Sequence, residues 1–353
     1  MTSEALSIRT EMTTSRTEMG RTRIGGILAI ASLLSACSPL GEAIATQQQN
    51  QQTRMGELLF NDPRLGADGT TSCSSCHAAE HAFTDARAVS IGAFGKAGTR
   101  NAPSLIGLSA KGPQFWDGRE SSLAVAVLQP WANPVEMGHA TMHEAMQHIS
   151  KHPEYAEFLG RPVTEQDIAE ALSSYLLSLQ PAPSPYDRAH LSGDSQLLGP
   201  RAERGMTLFK GKAQCASCHS LDGTHELSDG KFHHASVGFE RIAGNLRNLQ
   251  IQLEDARAGG QPLGTLILTE ADIAELGRFA VSGNPKDMGA FRTPSLRNVA
   301  RTAPYMHDGS IQTLDAAVEH ELYYRGLTTG QPISLTIEER RDLIAFLQAL
   351  SNP

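Results

Sequence analysis

Two short stretches of this chain carry the same chemistry: Cys73-Ser74-Ser75-Cys76-His77 and Cys215-Ala216-Ser217-Cys218-His219. In each, two thiols three residues apart can form thioethers to one porphyrin edge. The histidine that follows at once is then held beneath the iron as its proximal imidazole. This is the pattern of a c-type haem attachment site, and its repetition makes chance a poor explanation. Two covalently bound c-type haems are expected, attached at Cys73, Cys76, Cys215 and Cys218, with His77 and His219 as iron ligands. What each haem can do then depends on whether anything fills the sixth position of its iron.

The elements that must position these loops read as helices. With 353 residues the chain has room for two domains of ordinary size, and a hydrophobic fraction of 40% supports globular cores. Apolar periodicity and capping signals predict helices at 53–60, 121–128, 142–151, 165–179, 200–209, 270–279, 314–323 and 337–350. The first is stopped by Asn61-Asp62-Pro63. Thr141 with Glu144, Thr164 with Asp167, and Thr336 serve as N-terminal caps. Strand patterns are scarce. Residues 84–120 are rich in Gly and Pro and read as a long ordered loop, which in a compact domain is usually functional. Residues 181–200, with Pro181, Pro183, Pro185, Gly193, Gly199 and Pro200, form the best boundary.

The fold class expected is all-α: two tandem cytochrome c-like haem domains with long ordered loops, at 53–188 and 189–353. Each half places a short helix containing Gly and Phe ahead of its haem loop, Gly56 with Phe60 and Gly205 with Phe209.

The remaining cysteine, Cys37, closes a different pattern. Arg21 and Arg23 precede an apolar run at 24–34, which ends in Leu34-Ser35-Ala36-Cys37. A basic region, an apolar core and small residues before a cleavage point describe a secretory signal. The cysteine after Ser-Ala resembles a lipobox, which implies lipidation of Cys37. The run is too short for a comfortable transmembrane helix. Residues 1–37 thus read as a lipoprotein signal and the Gln-rich 38–52 as a flexible tether. The protein is expected on the periplasmic side of a bacterial envelope, with the outer membrane favoured by Ser38, and held to the membrane only through lipid. A formal charge of −8 argues against a nucleic-acid partner. A basic protein partner, or a homodimer, is compatible with it.

Several further motifs lie in order around the haem loops. They are Ala82-Phe83-Thr84-Asp85, Arg100-Asn101-Ala102-Pro103-Ser104-Leu105, Phe115-Trp116-Asp117-Gly118-Arg119 and Asn133-Pro134-Val135-Glu136-Met137 in the first half. In the second half they are Gly289-Ala290-Phe291-Arg292-Thr293-Pro294-Ser295-Leu296-Arg297-Asn298 and Thr302-Ala303-Pro304-Tyr305-Met306-His307-Asp308-Gly309-Ser310. From about residue 53 to the end, the chain resembles bacterial di-haem cytochrome c peroxidases and their MauG-type relatives; residues 221–270 match poorly.

The resemblance assigns roles. Peroxide needs an open iron and a group that moves a proton between its oxygens. Glu136, 20 residues after Trp116, matches the family's distal carboxylate; alone it would read as a solvated surface charge. In many members a loop histidine fills the sixth position of the first iron at rest. Here that position is Ala93, which cannot ligate, and neighbouring His81 reads as a surface residue. The first iron is therefore expected to be open without reductive activation. Ala126 stands where the family often has a distal Gln. Trp116 matches an aromatic between the haems and is expected to relay electrons, whereas Trp131 reads as packing. Asn101, Thr302 and Pro304 match oxygen ligands of a calcium ion at the domain interface. His307 matches a residue near a haem propionate. His233 and His234 are taken as structural or propionate contacts.

The sixth ligand of the second haem is harder to align. Peroxidases place Met, and MauG-type proteins Tyr, 14 residues beyond His307, which lands on Glu321. Counting back from Gly326 lands on Tyr323, which is the residue selected here; His320, Tyr324 and Met306 stay open. The expected function is a di-haem c-type oxidoreductase that reduces hydrogen peroxide with electrons from a small redox protein such as a cytochrome c or a cupredoxin. The second reading is MauG-like: peroxide oxidises both haems and the oxidising equivalents pass to residues of a partner protein. Plain electron transfer is disfavoured by Glu136 and the empty position at Ala93.

Overall fold

The computed structural model describes residues 39–180, 182–221 and 226–352. The expected signal peptide and the lipidation residue Cys37 lie outside them. Among the described residues no helix is long and apolar enough to cross a membrane.

The chain is mostly helical. The first half holds α1 (Pro39–Asn61), α2 (Leu123–Ala126), α3 (Met142–Ile149), α4 (Pro153–Leu159) and α5 (Glu165–Ser178). Then come α6 (Pro185–Ser192), α7 (Pro200–Lys210), α8 (Phe239–Ile242), α9 (Leu246–Ala258), α10 (Leu263–Thr269), α11 (Ala271–Ala274) and α12 (Phe279–Ser282). The last two are α13 (Leu314–Thr329) and α14 (Ile337–Ala349). Two small antiparallel pairs accompany them: β1 (Lys111–Gln114) with β2 (Glu120–Ser122), and β3 (Phe232–His234) with β4 (Ala290–Arg292). The second pair sets His233 opposite Phe291. The long loop at 84–120 holds one short 3-10 turn, Ala93–Gly95, and the β1 strand.

Residues 44–353 form one compact unit, and three apolar clusters fill it. The first draws on α1, α3 and α5 and buries Met55, Leu59, Trp131, Ile168 and Leu172. The second packs α7 against α14 through Phe209, Leu343 and Phe346. The third is built from α9 to α12 around Leu253, Ile267 and Ile273.

Each haem loop follows a helix locked to another by a glycine. A Cβ at Gly56 of α1 would collide with the carbonyl of Ala171 in α5, and one at Gly205 of α7 with the carbonyl of Asp342 in α14. Four residues on from each glycine, one turn further, Phe60 and Phe209 are buried. The Gly-and-Phe helix read in both halves is therefore the same device twice, a close helix crossing that fixes where the C-x-x-C-H loop starts.

Three expectations change. The stretch 38–52, read as a flexible tether, is helical from Pro39 as part of α1. Gln51 and Gln52 reach the carbonyl of Phe158 and the side chain of Glu170. The Pro/Gly-rich stretch 181–200 is not a bare linker, because Ser184 and Asp187 form a capping box that starts α6. Tyr186 packs into the second cluster, so a boundary at 188/189 cuts a helix that belongs with the second half. The single helix predicted over 270–279 breaks into α11 and α12 at Gly277, whose φ of 58° suits only glycine comfortably.

Candidate active site

Both haem loops fold identically at their turn. The amide of His77 donates to the carbonyl of Cys73 at 3.0 Å, and that of His219 to the carbonyl of Cys215 at 3.0 Å. Each imidazole is then fixed by a backbone carbonyl. His77 Nδ1 lies 3.0 Å from Phe83 O and His219 Nδ1 3.2 Å from Leu227 O. Phe83 and Leu227 both hold left-handed backbone, with φ of 60° and 49°. A carbonyl on Nδ1 puts the proton there and leaves the Nε2 lone pair for a metal. Burial pushes both histidines down, His219 to about 4, so each is a neutral ligand. These are the donors a c-type haem requires.

Several buried polar atoms of the first half lack a protein partner: Glu136 Oε2, Arg119 Nε, and Arg100 Nε and Nη1. Two guanidiniums with unsatisfied donors fit a group that carries carboxylates, as a haem does. Arg119 is held by Asp117 at 3.0 Å and lies over the Phe115 ring at 3.6 Å. Arg100 donates to Ala274 O. Arg100 and Arg119 belong to motifs read in the sequence, but nothing in spacing or composition marked them as unpaired.

Glu136 is set by a tight loop. Its amide donates to Asn133 O at 3.2 Å, and its carbonyl accepts from Ala93 N at 2.8 Å. Asn133 Oδ1 also caps Val135 N at 2.9 Å. Burial pushes the Glu136 carboxyl above its ordinary range, and Arg119 opposes the shift. Burial first, then neighbouring charge that includes Glu136, pushes the Cys73 thiol up to about 12 and the Cys76 thiol up to about 11. The carboxylate is therefore within electrostatic reach of the first haem loop. Ala93 is fully buried and its segment is pinned against this same loop: a Cβ on Gly92 would collide with the carbonyl of Val135. His81 is exposed and Ala126 is buried.

Trp116 sits between the halves. Its Nε1 donates to Asn101 O at 2.9 Å and its carbonyl accepts from Arg292 N at 2.7 Å. It lines a large cavity that also exposes Cys215, Cys218 and His219, beside which the second haem belongs. Trp131 is fully buried in the first cluster, as packing requires. Asn101, Thr302 and Pro304 all line the same cavity. The Asn101 amide donates to Arg87 O at 2.8 Å, and the Thr302 hydroxyl to Val299 O at 3.2 Å. His307 lies 2.8 Å from Glu275 and stacks on Phe291 at 3.6 Å between centroids. His233 pairs with Asp229 at 2.8 Å, and His234 with Lys286 O at 3.1 Å.

Tyr323, selected as the sixth ligand of the second haem, faces away from it. Its side chain is 62% exposed and belongs to a shallow surface depression with His320 and Ser310. Glu321 and Arg325 line the haem cavity instead. Tyr324 lies beside His320 and Tyr323, at 4.5 and 5.2 Å between ring centroids, and His320 is committed to Ala235 O at 2.8 Å. α13 runs unbroken from Leu314 to Thr329, so one stripe of its residues faces the cavity and Tyr323 lies outside that stripe.

Comparison with known proteins agrees with this geometry. Residues 50–196 match the family model described as di-haem cytochrome c peroxidase. The chain is 32% identical over 317 residues to the cytochrome c peroxidase Ccp of Escherichia coli (strain K12), covering 89% of this chain but spanning only 60% of that protein. It is 32% identical over 339 residues to the cytochrome c551 peroxidase of Nitrosomonas europaea, covering 93% of this chain and 88% of that one. A solved structure of a MauG-like protein associated with microbial copper homeostasis superposes with a TM-score of 0.67 at 31% identity, over 86% of this chain and 89% of the other. With two matching haem loops and relatives of this kind along nearly its whole length, the chain belongs to the di-haem cytochrome c peroxidase family and carries two c-type haems.

Proposed function

We propose that the protein reduces hydrogen peroxide at the haem attached to Cys73 and Cys76, using electrons that a small redox protein delivers through the haem attached to Cys215 and Cys218. Two tandem haem domains would divide the work. The haems, when bound, supply an iron that binds peroxide in the first half and an electron store in the second. Reduction of one peroxide consumes two electrons and two protons and yields two waters. Glu136 would serve the proton half: as carboxylate it would take a proton from one peroxide oxygen and return it to the other. Trp116, hydrogen-bonded to Asn101 O, serves the electron half as the aromatic between the sites.

The observation that carries this reading is the buried, unpartnered Glu136 Oε2 beside the first haem loop. A carboxylate left without a partner in a buried site costs stability, and a proton-transfer role accounts for it. Glu136→Gln should lower the peroxide reduction rate by ~100-fold or more with haem content unchanged. Because the base form is the carboxylate and burial raises its pKa, the wild-type rate should climb with pH through an inflection above the ordinary Glu range. That inflection should vanish in the variant. An unchanged rate removes Glu136 from the mechanism.

The MauG-like reading shares the first site and differs in where the oxidising equivalents go. Ala93, buried where many members carry a ligating histidine, and the lack of a methionine at the expected place on α13 favour it. Mixing the protein with peroxide separates the two. Catalytic peroxide loss with reduced cytochrome c supports the first reading, and a long-lived doubly oxidised state unreactive to cytochrome c supports the second. We further propose lipidation at Cys37, a place on the periplasmic face of the outer membrane, and a calcium ion held by Asn101, Thr302 and Pro304. These rest on residue pattern and family resemblance.

A further inference from the structure

Helix α13 lays one face along the cavity that exposes Cys215, Cys218 and His219. The residues it contributes are Leu314, Ala317, Val318, Glu321, Leu322 and Arg325. Their spacing of three and four is that of one stripe on a helix with about 3.6 residues per turn. Tyr323, two residues on from Glu321, falls roughly 200° around the axis, in agreement with its exposure.

Only one side chain in that stripe can donate a lone pair to a metal. Leucine, alanine and valine have none, and arginine has five donors and no acceptor. The other basic groups on the cavity wall are committed. His233 pairs with Asp229, His234 with Lys286 O, and His307 with Glu275. The Tyr305 hydroxyl donates to Val299 O at 2.9 Å. Glu226 is paired with Arg292 at 3.5 Å, which leaves Met306 as the competitor among the described residues on that wall.

We propose that the Glu321 carboxylate is the sixth ligand of the second haem iron, across the ring from His219. The proposal rests on the di-haem reading and gives that site a ligand of a different chemical class from the thioether or phenolate found at this place in relatives. The surroundings suit an anion. Arg325 lies one turn further along the same face, and its Nη2 approaches Cys218 Sγ at 3.3 Å, so a guanidinium stands at the haem edge. A carboxylate in such surroundings needs a cationic partner; Glu321 has Arg325 one turn along and would have the iron on its other side. A hard anionic oxygen favours ferric over ferrous iron and lowers the reduction potential. Electrons from a donor would enter the second haem less readily, while removal of electrons from it would become easier. The ligand would therefore stabilise the oxidised second haem, and a donor that loads it needs a correspondingly low potential.

The test uses the purified holoprotein with both haems. Near-infrared magnetic circular dichroism, resonance Raman, EPR and a potentiometric titration are compared for wild type, Glu321→Ala and Glu321→Met. Wild type should show neither a thioether-to-iron nor a phenolate-to-iron charge-transfer band. Glu321→Ala should change the spectrum of the second haem alone. Glu321→Met should create the thioether band and raise that haem's potential. A second-haem spectrum unaltered in Glu321→Ala, or a thioether or phenolate band in wild type, overturns the proposal. Haem quantification separates the two levels: fewer than two haems per chain defeats the di-haem reading, whereas two haems with an unaltered spectrum defeat only Glu321.

Discussion

Replacing Gly205 by alanine asks whether the helix crossing, more than the haem loop itself, positions the second haem. A Cβ there would collide with the carbonyl of Asp342 and come within 2.8 Å of Phe346 Cβ. A carbonyl inside α14 cannot swing away as a side-chain tip could, so α7 and α14 must separate along their contact. That contact includes Phe209 packed edge-on against Phe346 at 5.1 Å between centroids, and both rings are almost wholly buried. Overpacking of this kind costs ~1–3 kcal/mol, and the involvement of backbone places Gly205→Ala at the upper end. For a unit of this size the thermal midpoint should fall by about 1–2 °C for each kcal/mol. The second haem's absorption should broaden, because its loop begins at the end of α7. Gly56→Ala, against Ala171, should act in the same way on the first haem and spare the second. Gly244 is the control: it has open space around its Cβ direction and no positive φ, so Gly244→Ala should be neutral or stabilise by ~0.4–1 kcal/mol. Calorimetry and haem-resolved spectra of the three variants decide the matter. Gly205→Ala with a midpoint equal to that of Gly244→Ala would refute the crossing as the positioning device.

Trp116→Phe should leave peroxide binding at the first haem intact and slow electron arrival from the second, as seen by stopped-flow absorption. Asn101 O would lose its donor, which costs ~1–3 kcal/mol of stability; equal rates of electron arrival would rule out the relay. Dialysis against a calcium chelator should lower the thermal midpoint and restore it on readdition. Elemental analysis showing no calcium in the untreated protein dismisses Asn101, Thr302 and Pro304 as its ligands.

What could be read from the sequence was whatever the chain specifies locally. The haem loops are fixed by five consecutive residues each, and the caps at Thr164 and Thr336 are made by residues three apart in sequence, with Asp167 and Glu339 answering them. The repeated Gly-and-Phe helix was visible because a close crossing tolerates only glycine at its centre. What escaped depended on distant neighbours. Gly277 ends one helix and starts another because Arg278 N must reach Ala290 O at 2.7 Å, a strand residue that helical periodicity cannot announce. The unsatisfied donors of Arg100 and Arg119 appear only once the surrounding chain is in place and leaves them unmet.

The second haem shows the limit most clearly. Two alignments of the same helix, one from His307 and one from Gly326, disagree by two residues, and on an α-helix two residues are more than half a turn. Motif spacing treats an insertion as a gap to be absorbed somewhere. A continuous helix cannot absorb it without turning one of its ends, so the question becomes which end is anchored. Leu314, Ala317 and Val318 face the haem cavity and hold the amino-terminal turns in place. The same stripe continues through Glu321, Leu322 and Arg325, while Tyr323 at 62% exposure and Leu327 at 59% lie outside it. The forward count to Glu321 is therefore the one that agrees with helix geometry. The proposed carboxylate ligand then stands where the family uses a thioether or a phenolate, on the stripe that α13 turns toward the cavity.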